Sequence, residues 1–362
     1  MRILVLATAA SSGGAMTILE SLWEFATGEH ASSHQWVFVL SDRYFENGDR
    51  VRVHIEADAK RSWFRRLRFE LVTGADLVER HDPDVVLTLQ NTLPVGLKRP
   101  TVVYLHQPLP FQAEPKYRLT RKAERQLAIY QKGIGRLIKN SVARADLTVV
   151  QTNWMRKAVC EQVGLSGDRI VVIPPQLPEL QEFADTYTHD SRRFVYPTSE
   201  VLYKNNDVLL DACRRLSELG FTDLDVVMTL DRQGSTPLTT FAGRMKRVAL
   251  LRLMSTSTLV FPSITETYGL PLAEARAIGA LVLAADRPYA REVLFGYRDV
   301  HFFDPDNSDE LAQLMADVRL GRLKPVGGDH RMRGIDPQGD LGWAAVEEIM
   351  EKLIKGQRPH GA

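Results

Sequence analysis

Two glutamates with seven residues between them stand in the stretch of this sequence with the most chemical content. Glu266 and Glu274 lie in VFPSITETYGLPLAEA, which reads as an apolar strand, a loop and the start of a helix. Pro271 fits the first turn of that helix, where its missing N–H costs nothing. Both carboxylates can then face one ligand from the same turn. Since the positive end of a helix keeps nearby carboxylates ionised, both are suited to accept hydrogen bonds from sugar hydroxyls.

The backbone of the same loop favours phosphate. The amides around Gly269, Leu270 and Leu272 lie at the predicted helix start, where N–H groups and the helix dipole attract anions. Gly269 lets a diphosphate approach the backbone because it has no side chain. The sequence therefore predicts a site for a ligand that carries both hydroxyls and phosphates.

The segment resembles the family 4 retaining glycosyltransferases, which have the GT-B fold. Its residues match the family pattern F-P-S-x-x-E-x-[FY]-G-[LI]-x-x-x-E-A, including the E-x7-E motif. The resemblance implies that Glu266 lies beside the transferred sugar and that Glu274 holds the ribose of a nucleotide donor. It also implies donor contacts for Thr267, Tyr268 and the Gly269–Leu270 backbone. The resemblance is clear over Phe194–Val318 and diffuse over the N-terminal half.

Lys204 follows the first predicted strand of the second half. Family members often carry Arg-x5-Lys here to neutralise the diphosphate leaving group, and Lys204 matches the lysine. The arginine position falls on Thr198, which departs from the family. Either Lys204 and the helix amides suffice, or Arg287 or Arg291 supplies the second cation. The alternative reading of Lys204 is a solvated surface lysine.

Two features of the N-terminal half are candidates for the same chemistry. His106 follows a predicted strand. In similar enzymes, a histidine at this point contacts the donor sugar. The alternative is a turn histidine that makes only local hydrogen bonds. Gly13 and Gly14, in Ser11-Ser12-Gly13-Gly14, follow the first strand and can form an acceptor or phosphate loop or merely a tight turn. The spacing is not the G-x-G-x-x-G of dinucleotide-binding proteins, which argues against NAD.

Alternating strands and helices predict parallel sheets covered by helices. We expect an α/β protein with two Rossmann-like, doubly wound domains facing across a cleft, as in GT-B: residues 1–190 on the acceptor side and 191–335 for the nucleotide sugar. Residues 336–362 are expected to form a C-terminal helix that packs back toward the first domain, with the helical segment Trp343–Ile354 following the broken stretch Gly327–Gly342. The predicted strands are Trp36–Leu40, Val85–Leu89, Thr101–Leu105, Leu147–Gln151, Arg193–Tyr196, Leu224–Thr229, Thr258–Phe261 and Leu281–Ala284. The predicted helices are Thr17–Ala26, Tyr117–Ala143, Trp154–Val163, Asn206–Leu219, Arg244–Met254, Pro271–Ile278, Asp309–Val318 and Trp343–Ile354.

Composition excludes several classes of function. The formal net charge is +1, which gives no reason to expect a nucleic-acid partner. The chain has 2 cysteines, too few for a disulfide framework, and no apolar run of membrane-spanning length, so we expect a cytoplasmic protein. Three Asp-x-Asp sequences adjoin turns where Asp is common anyway, and no Cys/His grouping has zinc spacing. We expect no metal and no cofactor.

Two basic stretches suggest a membrane surface. Lys60–Val72 places Trp63, Phe64, Leu67 and Leu71 on one helical stripe among arginines. Lys116–Arg144 has nine Lys or Arg and one acid, a local charge of +8. Basic amphipathic segments bind anionic lipid, although a solvated basic face on a packed helix is also common. These stretches favour peripheral contact with the inner face of the cytoplasmic membrane.

The sequence and the resemblance together predict a retaining, metal-independent hexosyltransferase. It would move a sugar from a nucleotide-diphosphate donor to a glycan or lipid-linked acceptor in the biosynthesis of a bacterial surface polysaccharide such as lipopolysaccharide or capsule. A nucleotide-sugar epimerase of the same fold is the first alternative. A non-catalytic sugar-nucleotide-binding partner is the second, supported by the missing arginine at Thr198.

Overall fold

The chain forms two compact units. The computed structural model describes residues 1–10, 13–28, 33–177, 179–234, 236–327 and 342–357. Ser11, Ser12 and residues 328–341 of the broken stretch lie outside this description. One unit comprises Met1–Gln176 with Gly339–Ala362, and the other comprises Leu177–Gln338. This division comes earlier than the expected boundary at residue 190, because Leu180 and Phe183 are buried around a short helix that the polar sequence did not predict.

The first unit contains an all-parallel sheet with strand order β3-β2-β1-β4-β5-β6-β7. The central strands are buried along their length, as expected of a parallel sheet covered on both faces. The strands are β1 (Arg2–Ala7), β2 (Gln35–Leu40), β3 (Val51–Ile55), β4 (Val85–Thr88), β5 (Thr101–Tyr104), β6 (Leu147–Val150) and β7 (Ile170–Val172).

The helices of this unit differ from the sequence prediction in two places. The predicted stripe over Lys60–Val72 is broken at Ser62, which has extended backbone angles and accepts a hydrogen bond from the Arg65 amide to start a new helix. The long helix predicted from Tyr117 begins at Arg125. The helices are α1 (Gly13–Thr27), α2 (Asp58–Arg61), α3 (Trp63–Arg68), α4 (Gly74–Arg80), α5 (Arg125–Ile129), α6 (Gly135–Arg144) and α7 (Asn153–Val163), with π-helical segments at Phe69–Thr73 and Tyr130–Ile134 and a 3-10 turn at Gly167–Arg169.

The second unit contains a six-stranded parallel sheet with order β10-β9-β8-β11-β12-β13. Its strands are β8 (Arg193–Tyr196), β9 (Asp225–Met228), β10 (Thr239–Phe241), β11 (Thr258–Phe261), β12 (Val282–Ala285) and β13 (Val300–Phe303). Its helices are α8 (Gln181–Asp185), α9 (Asn206–Glu218), α10 (Arg247–Met254), α11 (Leu270–Ile278), α12 (Pro288–Val293) and α13 (Ser308–Arg319), with a 3-10 turn at Leu202–Lys204.

The C-terminal helix α14 (Trp343–Ile354) belongs to the first unit. Trp343, Val346 and Met350 are buried in the same apolar cluster as β1 and α1. The indole N–H of Trp343 also donates to Ser21 Oγ at 3.0 Å. Within the described part of the chain, no helix is both long and apolar enough to cross a membrane.

Each sheet reverses its strand order once next to its first strand. The reversal lies between β1 and β4 in the first unit and between β8 and β11 in the second. At such a point the following connections leave on opposite faces, so a crevice opens at the carboxyl ends of the two strands. The residues that follow these four strands are therefore the ones to search for a site.

Candidate functional site

A lysine and a glutamate meet at the strand reversal of the second unit. Lys204 ends the 3-10 turn after β8, and Glu266 lies in the loop after β11; Lys204 Nζ is 2.5 Å from Glu266 Oε1. The same carboxylate oxygen accepts from Ser263 Oγ at 2.7 Å. Both charged side chains remain partly exposed, at 19% for Lys204 and 17% for Glu266. An ammonium has three donors, so Lys204 can hold Glu266 and still bind an anion.

The Glu266 loop has a fixed backbone. The Ile264 amide donates to the Tyr203 carbonyl at 2.8 Å, which joins this loop to the turn of Lys204. The buried Tyr289 hydroxyl donates to the Ser263 carbonyl at 2.6 Å. The loop is therefore tied on both sides, and it holds Glu266 in one place without help from a ligand.

Gly269 turns this loop into helix α11. Its φ of +81° lies in the left-handed region, where a side chain is disfavoured, and an added Cβ would come within 3.3 Å of Leu272 Cδ1. Leu270 begins the helix, one residue before the predicted start, and Pro271 lies in the first turn. The Leu272 amide, however, donates to the Gly269 carbonyl at 2.8 Å, so this amide is not available to an anion. The predicted anion site is thus reduced to the backbone of Gly269 and Leu270.

Glu274 is buried on α11 and forms an ion pair with Arg247, the first residue of α10. Burial raises the pKa of the Glu274 carboxyl, and the Arg247 guanidinium opposes that rise. Desolvation of the buried carboxyl therefore acts against the ionised form that the helix end was expected to favour. Arg247 itself is 40% exposed, so it can exchange Glu274 for another anion.

The structure separates the two candidates for the second cation. Arg291 forms two hydrogen bonds to Asp286, at 2.7 and 2.8 Å, and lies 4.0 Å from the centre of the Phe302 ring. Arg287 is half-buried, and its Nε atom has no hydrogen-bond partner among the described residues. Thr198 donates its hydroxyl to Asn206 Oδ1 at 2.7 Å, a neutral partner. Arg287 and Arg247 are therefore better candidates than Arg291.

The other two predicted donor residues lie in the same loop. Thr267 is buried and Tyr268 is half-buried, and burial raises the pKa of the Tyr268 phenol. A neutral phenol can donate a hydrogen bond and accept one.

His106 lies in the first unit, two residues after the end of β5. Its Nε2 donates to the Leu89 carbonyl at 2.5 Å, and its backbone amide donates to Asn91 Oδ1 at 2.9 Å. Burial lowers the pKa of the imidazole, so the ring is neutral at pH 7. The ring is oriented by these local bonds, and Nδ1 is the nitrogen that can accept a hydrogen bond.

Gly13 and Gly14 begin helix α1 and are both exposed. A Cβ at either position would meet nothing within 4 Å, but Gly13 has φ of +61° and Gly14 has an ordinary helical backbone. Conformation therefore requires glycine only at Gly13.

Metal ligands do not cluster in the described part of the chain. No group of three or more His, Cys, Asp or Glu side chains there is arranged to hold a metal ion.

Comparison with known proteins assigns the chain to a class of enzymes. Residues 21–176 match the model for Glycosyltransferase Family 4, and residues 235–325 match the model for Glycosyl transferases group 1. Together the matches cover more than half of the chain. The chain is a glycosyltransferase of the GT-B type. The fold class predicted from the sequence is confirmed.

Solved structures agree with this fold over the whole length of the glycosyltransferase. Sucrose-phosphate synthase from Thermosynechococcus elongatus has a TM-score of 0.69 at 16% identity, covering 98% of each chain. WaaG, a glycosyltransferase involved in lipopolysaccharide biosynthesis, has a TM-score of 0.65 at 15% identity, covering 98% of this chain and 100% of that one. Anabaena HepE, solved with UDP and glucose, has a TM-score of 0.64 at 16% identity, covering 98% and 99%. No curated protein sequence matches the chain at a significant level.

Sequence reasoning missed Arg247 of this glycosyltransferase. Arg247 belongs to no motif, and the segment around it, Lys246-Arg247, reads as an ordinary basic helix start. Only the packing of α10 near α11 brings it to Glu274. The only signal in the sequence is that an arginine stands one helix before a motif glutamate, and this signal is weak.

Proposed function

We propose that this glycosyltransferase transfers a hexose from a nucleoside-diphosphate sugar to a glycan or lipid-linked acceptor with retention of anomeric configuration. The observation that carries the proposal is the pairing of Lys204 with Glu266 and of Arg247 with Glu274 around one loop of the second unit. A nucleotide sugar presents phosphates to the cations and hydroxyls to the carboxylates. This combination of groups fits the donor better than it fits a simple anion or a free sugar.

Each residue then has a definite role. Glu274 accepts hydrogen bonds from the ribose, and Lys204 with the Gly269–Leu270 backbone binds the diphosphate. Glu266 orients the transferred sugar, and Thr267 and Tyr268 complete the wall of the site. Arg247 leaves Glu274 when the ribose arrives and then binds a phosphate oxygen. Together with Arg287, it replaces the family arginine, whose position is Thr198 in this chain.

Stabilisation of the departing diphosphate supplies most of the rate enhancement in this scheme, because preorganised charges act strongly on charge that develops in the transition state. The charge of Lys204 is held in place by Glu266 before the donor binds. His106 remains a prediction as a contact to the sugar; its neutral ring suits a hydrogen bond with a hydroxyl. No metal is required where two or three cations meet the diphosphate.

UDP-glucose is the first donor to test, since HepE was solved with UDP-glucose. The purified chain is incubated with UDP-glucose, GDP-mannose or dTDP-glucose, and with lipid extracts or oligosaccharides as acceptors, with chelator present. We expect release of the nucleoside diphosphate that depends on the acceptor, and an anomeric proton in the product with the donor's configuration by NMR. Conversion of the donor to an epimer without acceptor would establish the epimerase alternative instead. Binding of the donor without turnover, with every acceptor tried, would favour the non-catalytic one.

The second part of the proposal is that the enzyme acts at a membrane surface. Trp63, Phe64 and Leu71 are exposed by 49%, 82% and 50%, beside the exposed arginines Arg61 and Arg65. Apolar side chains next to cations suit the head-group region of an anionic bilayer, which supports the proposal that the enzyme works at the inner face of the cytoplasmic membrane. Sedimentation with vesicles tests this. We expect binding to phosphatidylglycerol vesicles that Phe64→Ser weakens, and equal binding to neutral vesicles would contradict the role of charge.

A further inference from the structure

A pocket of about 340 Å³ opens at the strand reversal of the first unit. Thr8 and Ala9 follow β1, and Gln90 and Thr92 follow β4, the two strands between which the order reverses. This is the position at which an open parallel sheet binds its ligands. The volume lies at the lower end of the range for small-molecule sites, about 300–1,000 Å³.

Both π-helical segments of this unit contribute side chains to the pocket. Glu70 belongs to the first segment, and Tyr130 and Ile134 are the end residues of the second. Turns of this kind are rare, and they occur frequently at functional sites. Two of them beside one cavity therefore support a binding role for it.

Arg66 lines the pocket with hydrogen-bond donors to spare. Its Nη2 lies 2.8 Å from Glu70 Oε1 and donates to Thr92 Oγ1 at 3.0 Å, and its Nη1 donates to Thr8 Oγ1 at 2.7 Å. A guanidinium has five N–H groups, so the Nε–H and one N–H of Nη1 have no partner among the described residues. The side chain is 18% exposed, which leaves it within reach of a ligand.

The Glu70 carboxylate balances the charge of Arg66 but offers no acceptor to the pocket. Its Oε1 atom also accepts from Thr92 Oγ1 at 2.6 Å and from Gln90 Nε2 at 3.2 Å. Its Oε2 atom is buried and thus out of reach. The Arg66 N–H groups therefore decide which polar group is bound, and they require a ligand with acceptor oxygens.

The chain around this arginine is basic. Residues 58–70 contain five Lys or Arg and two acids, a formal charge of +3. Arg61, Arg65 and Arg68 are exposed. A positive surrounding attracts an anion, and hydrogen bonds from a guanidinium to phosphate are roughly twice as strong as neutral ones. Among ligands with acceptor oxygens, this segment therefore favours a phosphate.

The remaining walls of the pocket are largely apolar and continue to the surface. Trp63 and Leu67 come from α3, Ile134 ends the second π-helical segment, and Leu137 comes from α6. Trp63 is itself 49% exposed, and the adjacent Phe64 is 82% exposed. A hydrated sugar phosphate would leave its hydroxyls against these side chains, whereas an alkyl chain would bury apolar surface there.

We propose that this pocket binds a phosphate ester with an apolar chain, whose phosphate oxygen accepts from Arg66 and whose chain lies against the apolar walls. Its identification as the sugar acceptor rests on the function proposed above, whereas the binding itself does not. The acceptor is then carried on a lipid phosphate rather than being a free glycan. The exposed side chains of Trp63 and Phe64 connect the pocket to the surface that we assign to the membrane.

Calorimetric titration with three matched probes tests the proposal at pH 7.5. Octyl phosphate has both the chain and the anion, methyl phosphate has only the anion, and 1-octanol has only the chain. We expect octyl phosphate to bind at least about tenfold more tightly than methyl phosphate and at least about tenfold more tightly than 1-octanol. An affinity for either partial probe equal to that for octyl phosphate would overturn the proposal.

A double variant tests the role of the arginine. Arg66→Gln combined with Glu70→Gln removes both charges, so neither is left buried without its partner. Octyl phosphate should then bind at least about tenfold more weakly, close to the affinity of 1-octanol. Arg68→Gln, which changes an exposed arginine of the same helix outside the pocket, should alter the affinity by less than about threefold. Melting temperatures establish folding, and equal losses in the two samples would contradict a specific contact with Arg66.

A second pair of variants tests the location. Ala9→Phe adds a large side chain at an exposed position of the lining and should weaken octyl phosphate binding at least about tenfold, because less apolar surface remains to be buried. Val95→Ser changes an exposed apolar residue outside the pocket and should leave the affinity unchanged. Octyl phosphate binding that survives Ala9→Phe would place the ligand elsewhere and overturn the proposal.

Nucleotide titration of the same samples separates this inference from the proposed function. UDP binding without octyl phosphate binding would refute the pocket and leave the transferase proposal standing. Binding of octyl phosphate that follows the expected ranking, without binding of any nucleoside diphosphate, would support the pocket as a lipid-phosphate site and refute the transferase role assigned to it.

Discussion

The two units place a carboxylate and a cation at the same point of their sheets, but in different surroundings. In the second unit, Glu266 and Lys204 are partly exposed, and the lysine has donors to spare. In the first unit, Glu70 is buried, and Arg66 contacts Glu70, Thr8 and Thr92. The same architecture therefore gives one partly exposed ion pair, which a charged ligand can reach, and one ion pair whose carboxylate is buried and fixed by neighbouring hydrogen bonds.

Rigidity distinguishes the two sites as well. The Glu266 loop is tied by Tyr289 and by the turn of Lys204, and a left-handed glycine fixes its exit into α11. The Gly13–Gly14 segment has open space around both residues. The loop around Glu266 is therefore fixed by its own hydrogen bonds, whereas the start of α1 has room for added side chains.

The largest effect is expected from Lys204→Ala. The variant removes the ammonium that we assign to the diphosphate, and loss of one preorganised charge of this kind lowers kcat by about 10²–10³-fold. Lys157→Ala, which changes an exposed lysine on α7 of the other unit, is the matched control and should leave kcat unchanged. Steady-state kinetics on both variants, with melting temperatures to establish folding, give the answer. A wild-type kcat for Lys204→Ala would contradict the role assigned to this lysine, and with it the contrast between the ion pairs of the two units.

A smaller effect is expected from Glu274→Gln. The amide keeps the shape but weakens the hydrogen bonds to the ribose, and a charged hydrogen bond contributes about 1.5–3 kcal/mol. We therefore expect the KM for the donor to rise by about tenfold or more. The KM for the acceptor should not change, and a KM for the donor that also stays constant would refute the ribose assignment.

Two glycine substitutions sharpen the contrast in rigidity. Gly269→Ala forces a side chain into a left-handed backbone and against Leu272, so we expect a loss of about 1–2 kcal/mol in the free energy of unfolding. Gly14→Ala lies in a helical backbone with open space and should raise that free energy by up to about 1 kcal/mol. Urea denaturation measures both. Equal effects of the two substitutions would show that the loops do not differ as described.

The smallest effect concerns pH. Burial lowers the pKa of His106 below its ordinary value of 6.5, so the folded state favours the neutral ring. The resulting stabilisation is present above about pH 6.5 and is lost as the pH falls through the lowered pKa. Burial also lowers the pKa of His81, His189 and His301, so only a comparison with His106→Gln isolates one ring.

We expect the difference in unfolding free energy between wild type and His106→Gln to shrink by about 1 kcal/mol or less between pH 7.5 and pH 5.5. Urea denaturation at both pH values measures it. A difference that does not vary with pH would mean that the ring is not neutralised by burial.

The fold could be predicted largely because its central strands are buried runs of apolar residues. Arg193–Tyr196 and Thr258–Phe261 are observed at their predicted limits. The strands that the sequence did not reveal include β3 and β10, which lie at sheet edges. Polar residues such as Arg52, His54 and Thr240 interrupt their apolar pattern, so periodicity gives no strand signal there.

The two ion pairs and their surroundings also differ in how far the sequence could reveal them. Glu266, Gly269 and Glu274 stand in one continuous strand–loop–helix segment, so their spacing could be read directly. Arg66 and Glu70 gain their meaning only beside Thr8, Gln90 and Thr92, which come from separate segments. Partners that meet only through tertiary packing, including Arg247 with Glu274, leave no pattern in a single sequence.

Calorimetric titration of nucleotides into the wild type and Lys204→Ala tests the central claim most directly. UDP, GDP, dTDP, CMP and NADH are compared without added metal. The account predicts that one nucleoside diphosphate binds the wild type selectively, and that Lys204→Ala weakens this binding by at least about tenfold. Binding of NADH alone, or a nucleoside diphosphate affinity that Lys204→Ala leaves unchanged, would contradict it.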